Sequence, residues 1–274
     1  MLSVELLNRT PRKTLIMGII NVTPDSFYDG GAIQGPEAAL HHAAQMKRDG
    51  ADIVDIGGES SRPGADPVSV ETECARVIPV LDAVEPLGVA ISIDTYHAET
   101  ARRAVEHGAR MVNDITALRH DAEMAAAVAD AHCDCVLMHM LGTPRTMQSD
   151  PRYADVVDDI CRFFEERLNY AVKQSIAETA LWLDPGFGFG KTVVHNLTIL
   201  RRLSEFRKFG RPIVIGTSNK STIGAVLHAP VHDRAEGTAA TIAVAIANGA
   251  DGVRVHDVKT MARVAQMTDA IVRG

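Results

Sequence analysis

Four cysteines in 274 residues, at Cys74, Cys133, Cys135 and Cys161, are too few for a disulfide framework. The Cys133-x-Cys135 pair has no second ligand pair, so it does not imply a metal centre, and the thiols are expected to be reduced and structural. No apolar run approaches the roughly 18 residues of a membrane span. Met1 to Lys13 is polar, unlike a signal peptide, so a cytoplasmic protein with no membrane partner is expected. Aromatic residues make up only 4% of the chain and the net charge is −7 with both signs interspersed, which argues against a nucleic-acid partner. Any anion site must then be built locally from a few Arg and Lys side chains. A Pro/Gly/Ser-rich linker is also missing, so residues 1–274 are expected to form a single domain.

What the chain does have is eight short apolar runs, each ending on a polar, charged or glycine-rich turn. They run from Leu15 to Ile20, Asp52 to Ile56, Val89 to Ile93, Arg110 to Val112, Cys135 to His139, Ala180 to Leu183, Pro212 to Ile215 and Asp251 to Val255. Alanine-rich stretches of helical period lie between them, including Pro36 to Arg48, Ser69 to Val84, Ala98 to His107, Ala122 to Ala131 and Tyr153 to Ile176. Strands alternating with helices predict a parallel sheet, and eight repeats in this length predict a closed (β/α)8 TIM barrel of the α/β class. Catalytic groups then belong at the C-terminal ends of the strands.

Several of those ends carry chemistry. Asn21 offers a neutral oxygen suited to Mg²⁺, which prefers oxygen donors and keeps several waters, although an Asn here would also serve as an ordinary helix cap. Asp25, Phe27 and Asp29 follow it in a turn-rich stretch with the composition of a mobile lid. The next rim loop, Gly57 to Pro67, exceeds the usual connection of about 2 to 6 residues and holds Ser60, Ser61 and Arg62. It reads as a second lid with an anion-facing arginine, against the plainer alternative of a solvated surface Arg.

Asp94, Asn113-Asp114 and Asp184 each follow an apolar strand, where an acidic group needs a partner. A heterocycle with an amidine-like edge would supply one, while capping of the following helix is the competing account of Asp94 and Asp114. In Gly186 to Lys191 the glycines permit close backbone approach, and Phe187 and Phe189 are placed to wall a flat ligand. The stretch lacks the G-x-x-x-x-G-K-[ST] spacing of a nucleotide phosphate loop. Arg254 and His256 have period-two spacing and point the same way, towards the barrel mouth, where Arg can fork a phosphate and His can donate. The alternative for Arg254 is an ion pair with an interior aspartate.

Together these segments resemble the dihydropteroate synthases, folate-pathway enzymes that join a pterin to 4-aminobenzoate. The resemblance rests on Met17-Gly18-Ile19-Ile20-Asn21-Val22-Thr23-Pro24-Asp25-Ser26-Phe27, Asp55-Ile56-Gly57-Gly58-Glu59-Ser60, Ser61-Arg62-Pro63-Gly64 and Ser92-Ile93-Asp94-Thr95. Further along it rests on Asn113-Asp114-Ile115, Met138-His139-Met140, Asp184-Pro185-Gly186-Phe187-Gly188-Phe189-Gly190-Lys191 and Arg254-Val255-His256-Asp257. It implies a homodimer of (β/α)8 barrels in which Asp94, Asn113, Met138, Asp184, Phe189 and Lys220 bind the pterin. Asn21, Ser61, Arg254 and His256 are implied for the diphosphate, with Mg²⁺ at Asn21. Phe27, Ser61, Arg62, Pro63, Phe189 and Ser221 are implied for 4-aminobenzoate, and Asp25, Asp29, Arg62, Lys220, Arg254 and His256 for catalysis.

The implied reaction starts with ionisation of the C–O bond of 6-hydroxymethyl-7,8-dihydropterin diphosphate, followed by addition of the aniline nitrogen, so no protein nucleophile is required. Two departures from the family pattern stand out: Asn219 where the family has an arginine, and Leu141 where it has a glutamine. Ser61 in place of a threonine is milder. Two rival readings are a corrinoid-linked pterin methyltransferase domain, which would need no diphosphate site, and a pterin-binding protein without catalysis.

Overall fold

The computed structural model describes residues 6–7, 13–23, 35–62 and 64–274. Strands and helices alternate as β1 (Leu15–Asn21), α1 (Gly35–Asp49), β2 (Ile53–Gly57), α2 (Val70–Val84), β3 (Ala90–Asp94), α3 (Ala98–Glu106), β4 (Met111–Asp114) and α4 (Met124–Ala131). They continue as β5 (Asp134–Met138), α5 (Val156–Lys173), β6 (Leu181–Asp184), α6 (Val193–Arg201), β7 (Val214–Ile215), α7 (Ser221–Leu227), α8 (Ala235–Ala247), β8 (Gly252–Val255) and α9 (Val258–Val272). Every expected strand forms. β7 is the shortest, because Pro212 has no N–H to give a ladder. Helix α5 begins later than expected because Asp155 caps it, its carboxylate accepting from Val157 and Asp158 N–H.

All strand pairs are parallel, in the order β6-β5-β4-β3-β2-β1-β8-β7, and a parallel bridge between Leu183 and Ile213 joins β6 to β7 and closes the ring. The expected (β/α)8 barrel is therefore the observed fold.

Side-chain parity along each strand sorts the residues into two layers. Leu15, Met17, Ile53, Met111, Val136, Trp182 and Val214 pack on one another inside the ring, with Leu6 added to the same cluster. The opposite parity, including Ile16, Ile20, Val54, Ile56, Ile91 and Ile93, packs outwards against the helices. Each such buried side chain contributes about 1.5–3 kcal/mol, so the outer layer is the main source of stability. Gly18 belongs to this layer: a Cβ there would lie 2.7 Å from Met46 Sδ and 2.9 Å from Val258 Cγ2, so only glycine lets α1 and α9 pack this closely on β1.

The inward parity, followed to the C-terminal ends, changes from apolar to polar. It passes from Met17 to Asn21, from Ile53 to Asp55, from Met111 to Asn113, from Trp182 to Asp184 and from Gly252 to Arg254. The floor of the barrel is mainly apolar and its mouth is charged.

Candidate active site

A cavity of about 750 Å³ opens at the charged mouth. One wall is Asn21 of β1 with Ser61 and Arg62 of the second rim loop; Asp94 of β3 lies in the floor; Phe189, Lys220, Ser221, Arg254 and His256 complete the far side. Asn113, Met138 and Asp184 are buried beneath it. Asp25, Phe27, Asp29 and Pro63 lie outside the described residues. Strand register accounts for much of the gathering: Asn21 aligns with Gly57, Gly57 with Asp94, Asp94 with Asn113, and Met138 with Asp184.

Arg254 is not an open cation. Its Nε donates to Asp55 Oδ2 at 2.6 Å and its Nη2 to Asp94 Oδ2 at 2.7 Å, so the ion-pair alternative raised by the sequence is the arrangement found. The protein thus supplies the partner that Asp94 requires. Burial works against the guanidinium charge, but Asp55 and Asp94 hold Arg254 protonated beyond the usual arginine range. Burial raises Asp94 to about 7 despite the nearby Arg254, with the charges of Asp55, Glu73 and Asp114 adding to the shift.

Asp55 carries a role that the sequence reading missed. It lies in the middle of β2, is fully buried, and its Oδ2 also accepts from Asn113 Nδ2 at 3.1 Å. The available signal was a single acid at inward parity within Ile53-Val54-Asp55-Ile56.

Asp184 accepts from Gly186 N–H at 2.7 Å, and burial raises its pKa against the pull of Lys220. Lys220 donates to the Phe187 carbonyl and stands 4.3 Å from the Phe189 ring centroid. Burial lowers its amine to about 8, with Asp184 opposing and Arg254 reinforcing the shift. His256 shares a 2.9 Å hydrogen bond between its Nδ1 and Ser218 Oγ, and burial next to Arg254, Arg62 and Lys220 lowers it to about 4. It is a neutral imidazole near pH 7.

Two expectations need correction. Phe187 does not wall the cavity: it is fully buried in the outer layer, and only Phe189 reaches the mouth. Asp114 turns into its own loop, where its carboxylate accepts from Thr116 N–H and Oγ1 and from Leu118 N–H; it holds this turn and caps no helix, since α4 begins only at Met124. The Gly186 to Lys191 turn is held from below by Lys191, whose Nζ lies 3.0 Å from His139 Nδ1 and donates to the Phe189 carbonyl at 2.9 Å. Gly186 has φ +68°, and a Cβ would fall 1.9 Å from the His139 carbonyl oxygen, which makes glycine obligatory.

A second polar cluster, not anticipated from the sequence, anchors the Ser61–Arg62 loop. Glu59 accepts from Tyr96 Oη and from Val68 N–H at 3.3 Å. Behind it the buried Glu73 Oε2 accepts from Thr95 at 3.0 Å and Thr100 at 2.6 Å, and pairs with His97 Nδ1 at 2.9 Å. Glu59, Glu73 and His97 present potential metal-ligand atoms within 4.8 Å of one another. The donors already directed at Glu73 make the cluster an anchor for the loop.

Fold and rim define a (β/α)8 barrel whose mouth is suited to a hydrogen-bonding heterocycle with an anionic tail. The profile of the family described as "Pterin binding enzyme" matches residues 17–256. The dihydropteroate synthase of Bacillus subtilis is 46% identical over 261 residues, covering 95% of this chain and 89% of the relative. The crystal structure of the Yersinia pestis dihydropteroate synthase with a sulfonamide drug superposes with a TM-score of 0.93 at 41% identity, covering 96% of this chain and 95% of that one. The Xanthomonas albilineans dihydropteroate synthase with 4-aminobenzoic acid gives 0.87 at 40% identity, covering 94% and 93%. The chain belongs to the dihydropteroate synthase family of pterin-binding enzymes.

Proposed function

We propose that this chain condenses 6-hydroxymethyl-7,8-dihydropterin diphosphate with 4-aminobenzoate to give 7,8-dihydropteroate and diphosphate. The observation that carries the reading is one cavity lined by Asp94 and Lys220 together with Arg62, Arg254 and His256, with Asn113 paired to Asp94 in the strand register and Asp184 buried at the end of β6. A 4-aminobenzoic acid complex of a family member supports the second substrate.

In this reading Asp94 and Asp184 accept from the amino and ring N–H groups of the pterin, while Asn113 and Lys220 meet its carbonyl and ring nitrogen. Phe189, with Lys220 on its face, covers one side of the ring. The C–O bond breaks with both electrons leaving on the diphosphate, and Arg254, Arg62 and the neutral His256 stabilise that charge as it develops. The aniline nitrogen then forms the C–N bond and releases its proton to solvent. Asp25 and Asp29 are proposed to stabilise the developing cation, and Phe27, Ser61, Pro63 and Ser221 to bind 4-aminobenzoate.

Asn21 fits a Mg²⁺ site: its half-buried carboxamide lines the cavity as a neutral oxygen donor, leaving other positions to water and phosphate oxygens. Bound there, Mg²⁺ supplies charge neutralisation to the leaving diphosphate.

The exposed apolar side chains of Val244 on α8 and Met267, Ile271 and Val272 on α9 support a homodimer, which light scattering of the purified protein tests. No helix among the described residues is long and apolar enough to cross a membrane. The decisive experiment is chromatographic detection of dihydropteroate from the two substrates with Mg²⁺ present. If there is no product but methyl transfer to a corrinoid protein occurs, the rival methyltransferase reading is correct.

A further inference from the structure

We propose that Arg254 couples the two halves of the cavity, passing from Asp94 to the diphosphate when the pterin ring takes its place at Asp94, and that Asp55 is the positioning residue that holds Arg254 during the exchange. The proposal rests on the assignment of the cavity to a pterin diphosphate.

The two carboxylates that hold Arg254 differ in access. Asp55 is fully buried and does not line the cavity, whereas Asp94 does. The contacts are also divided by atom: Nε is bound to Asp55 and Nη2 to Asp94. A ligand N–H arriving at Asp94 Oδ2 competes with Nη2 alone, so the guanidinium keeps its Nε anchor and turns about it. In a buried site a guanidinium that loses one of two carboxylates needs a replacement anion. His256 lies two residues further along the same inward parity and lines the same cavity, which is where a diphosphate oxygen would provide that replacement.

Asp55 ties the two sides together. Its Oδ2 holds Arg254 on the anion side and Asn113 on the heterocycle side, so one carboxylate sets the position of a group from each subsite. Its Oδ1 is buried without a hydrogen-bond partner, which leaves Oδ2 as the working atom. Occupancy of either subsite then favours the other, and the coupling must be reciprocal.

The test is calorimetric titration of Mg²⁺-diphosphate into the purified protein with and without saturating 6-hydroxymethylpterin, which carries no diphosphate. We expect the pterin to tighten diphosphate binding at least fivefold, and diphosphate to tighten the pterin by the same factor. In Asp94→Asn, where the charge that holds Arg254 Nη2 is removed and the contact weakened in advance, diphosphate alone should bind severalfold more tightly than to wild type. Asp55→Asn should weaken both ligands and abolish their coupling, and restoring the carboxylate as Asp55→Glu should recover part of the coupling.

Unchanged diphosphate affinity in the presence of pterin would overturn the proposal, as would weaker or equal diphosphate binding by Asp94→Asn. The wild-type titration decides the matter even where a variant fails to fold. Binding of both ligands without coupling defeats this inference alone, whereas failure of wild type to bind either one defeats the pterin diphosphate assignment itself.

Discussion

Replacing Asp94 by Asn should make the protein more resistant to alkaline pH while weakening the pterin binding proposed for it. Burial raises Asp94 to about 7 in the folded protein, against an ordinary value of 3.8. Between those two values the folded state binds more protons than the unfolded chain. Stability therefore falls as pH rises through that window, and the deficit is complete above pH 7. A shift of about three units at about 1.4 kcal/mol per unit bounds the deficit near 4 kcal/mol, of which Asp94, ion-paired to Arg254, will show a part. Asn cannot titrate, so the variant lacks this slope and instead carries a pH-independent loss, the weakened Arg254 contact. Urea unfolding followed by the fluorescence of Trp182, the chain's one tryptophan, at pH 5 and pH 8.5 separates the two effects. We expect the difference between variant and wild type to move by about 2–4 kcal/mol in favour of the variant over that range. The same proton should be expelled when the pterin binds, so calorimetry near pH 7 in buffers of different ionisation enthalpy should register fractional proton release. Parallel stability profiles, or a wild type that gains on the variant as pH rises, would refute the reasoning.

Further outcomes follow from single contacts. Gly186→Ala should cost several kcal/mol or prevent folding, because its Cβ meets the His139 carbonyl and its φ is positive, and a thermal melt within a degree or two of wild type would contradict this. Glu73→Gln should destabilise the protein by about 1–3 kcal/mol. The hydrogen bond that His97 donates to Glu73 raises the His97 pKa, so the stabilisation is full below about pH 6.5, the ordinary histidine value, and is lost as pH rises through the folded value; the variant's deficit should accordingly be larger at pH 5.5 than at pH 9. Asn21→Ala should raise the Mg²⁺ concentration needed for turnover while leaving binding of diphosphate-free pterin nearly unchanged, as titration of activity and calorimetry would show. Asn219→Arg should lower the KM for 4-aminobenzoate severalfold with little effect on the pterin diphosphate. It should also cost about 1–2 kcal/mol of stability, since Asn219 sits at φ +56° where asparagine is better tolerated than arginine; unchanged KM values would show that the substitution is neutral for the second substrate.

The barrel was legible because its information is repeated. Eight buried strands on a period of strand and helix give many chances to detect one pattern, and a boundary missed by two or three residues, as at Met124 or Val156, leaves the topology intact. Site residues at strand ends were legible for a related reason: a polar group directly after an apolar run has few structural uses, so Asn21, Asp94, Asn113 and Asp184 were conspicuous, and Arg254 stood out by its period-two spacing with His256. Asp55 was not, because it sits inside a run and two of its partners are remote in sequence, Asn113 at 58 positions and Arg254 at 199. Local pattern carries no record of such a pairing. Phe187 and Phe189 show the same limit, since they share chemistry and spacing while a turn sends one into the outer layer and the other to the cavity.

What sequence left open at Arg254, ion pair or phosphate ligand, is in the structure an ion pair with Asp55 and Asp94. The charged mouth is thus a costly part of this fold, with Asp94, Asp184 and Lys220 all moved by burial towards their neutral forms. A heterocycle with matching donors and an anionic tail relieves that cost, so substrate binding should stabilise the fold most at the residues whose charges it satisfies.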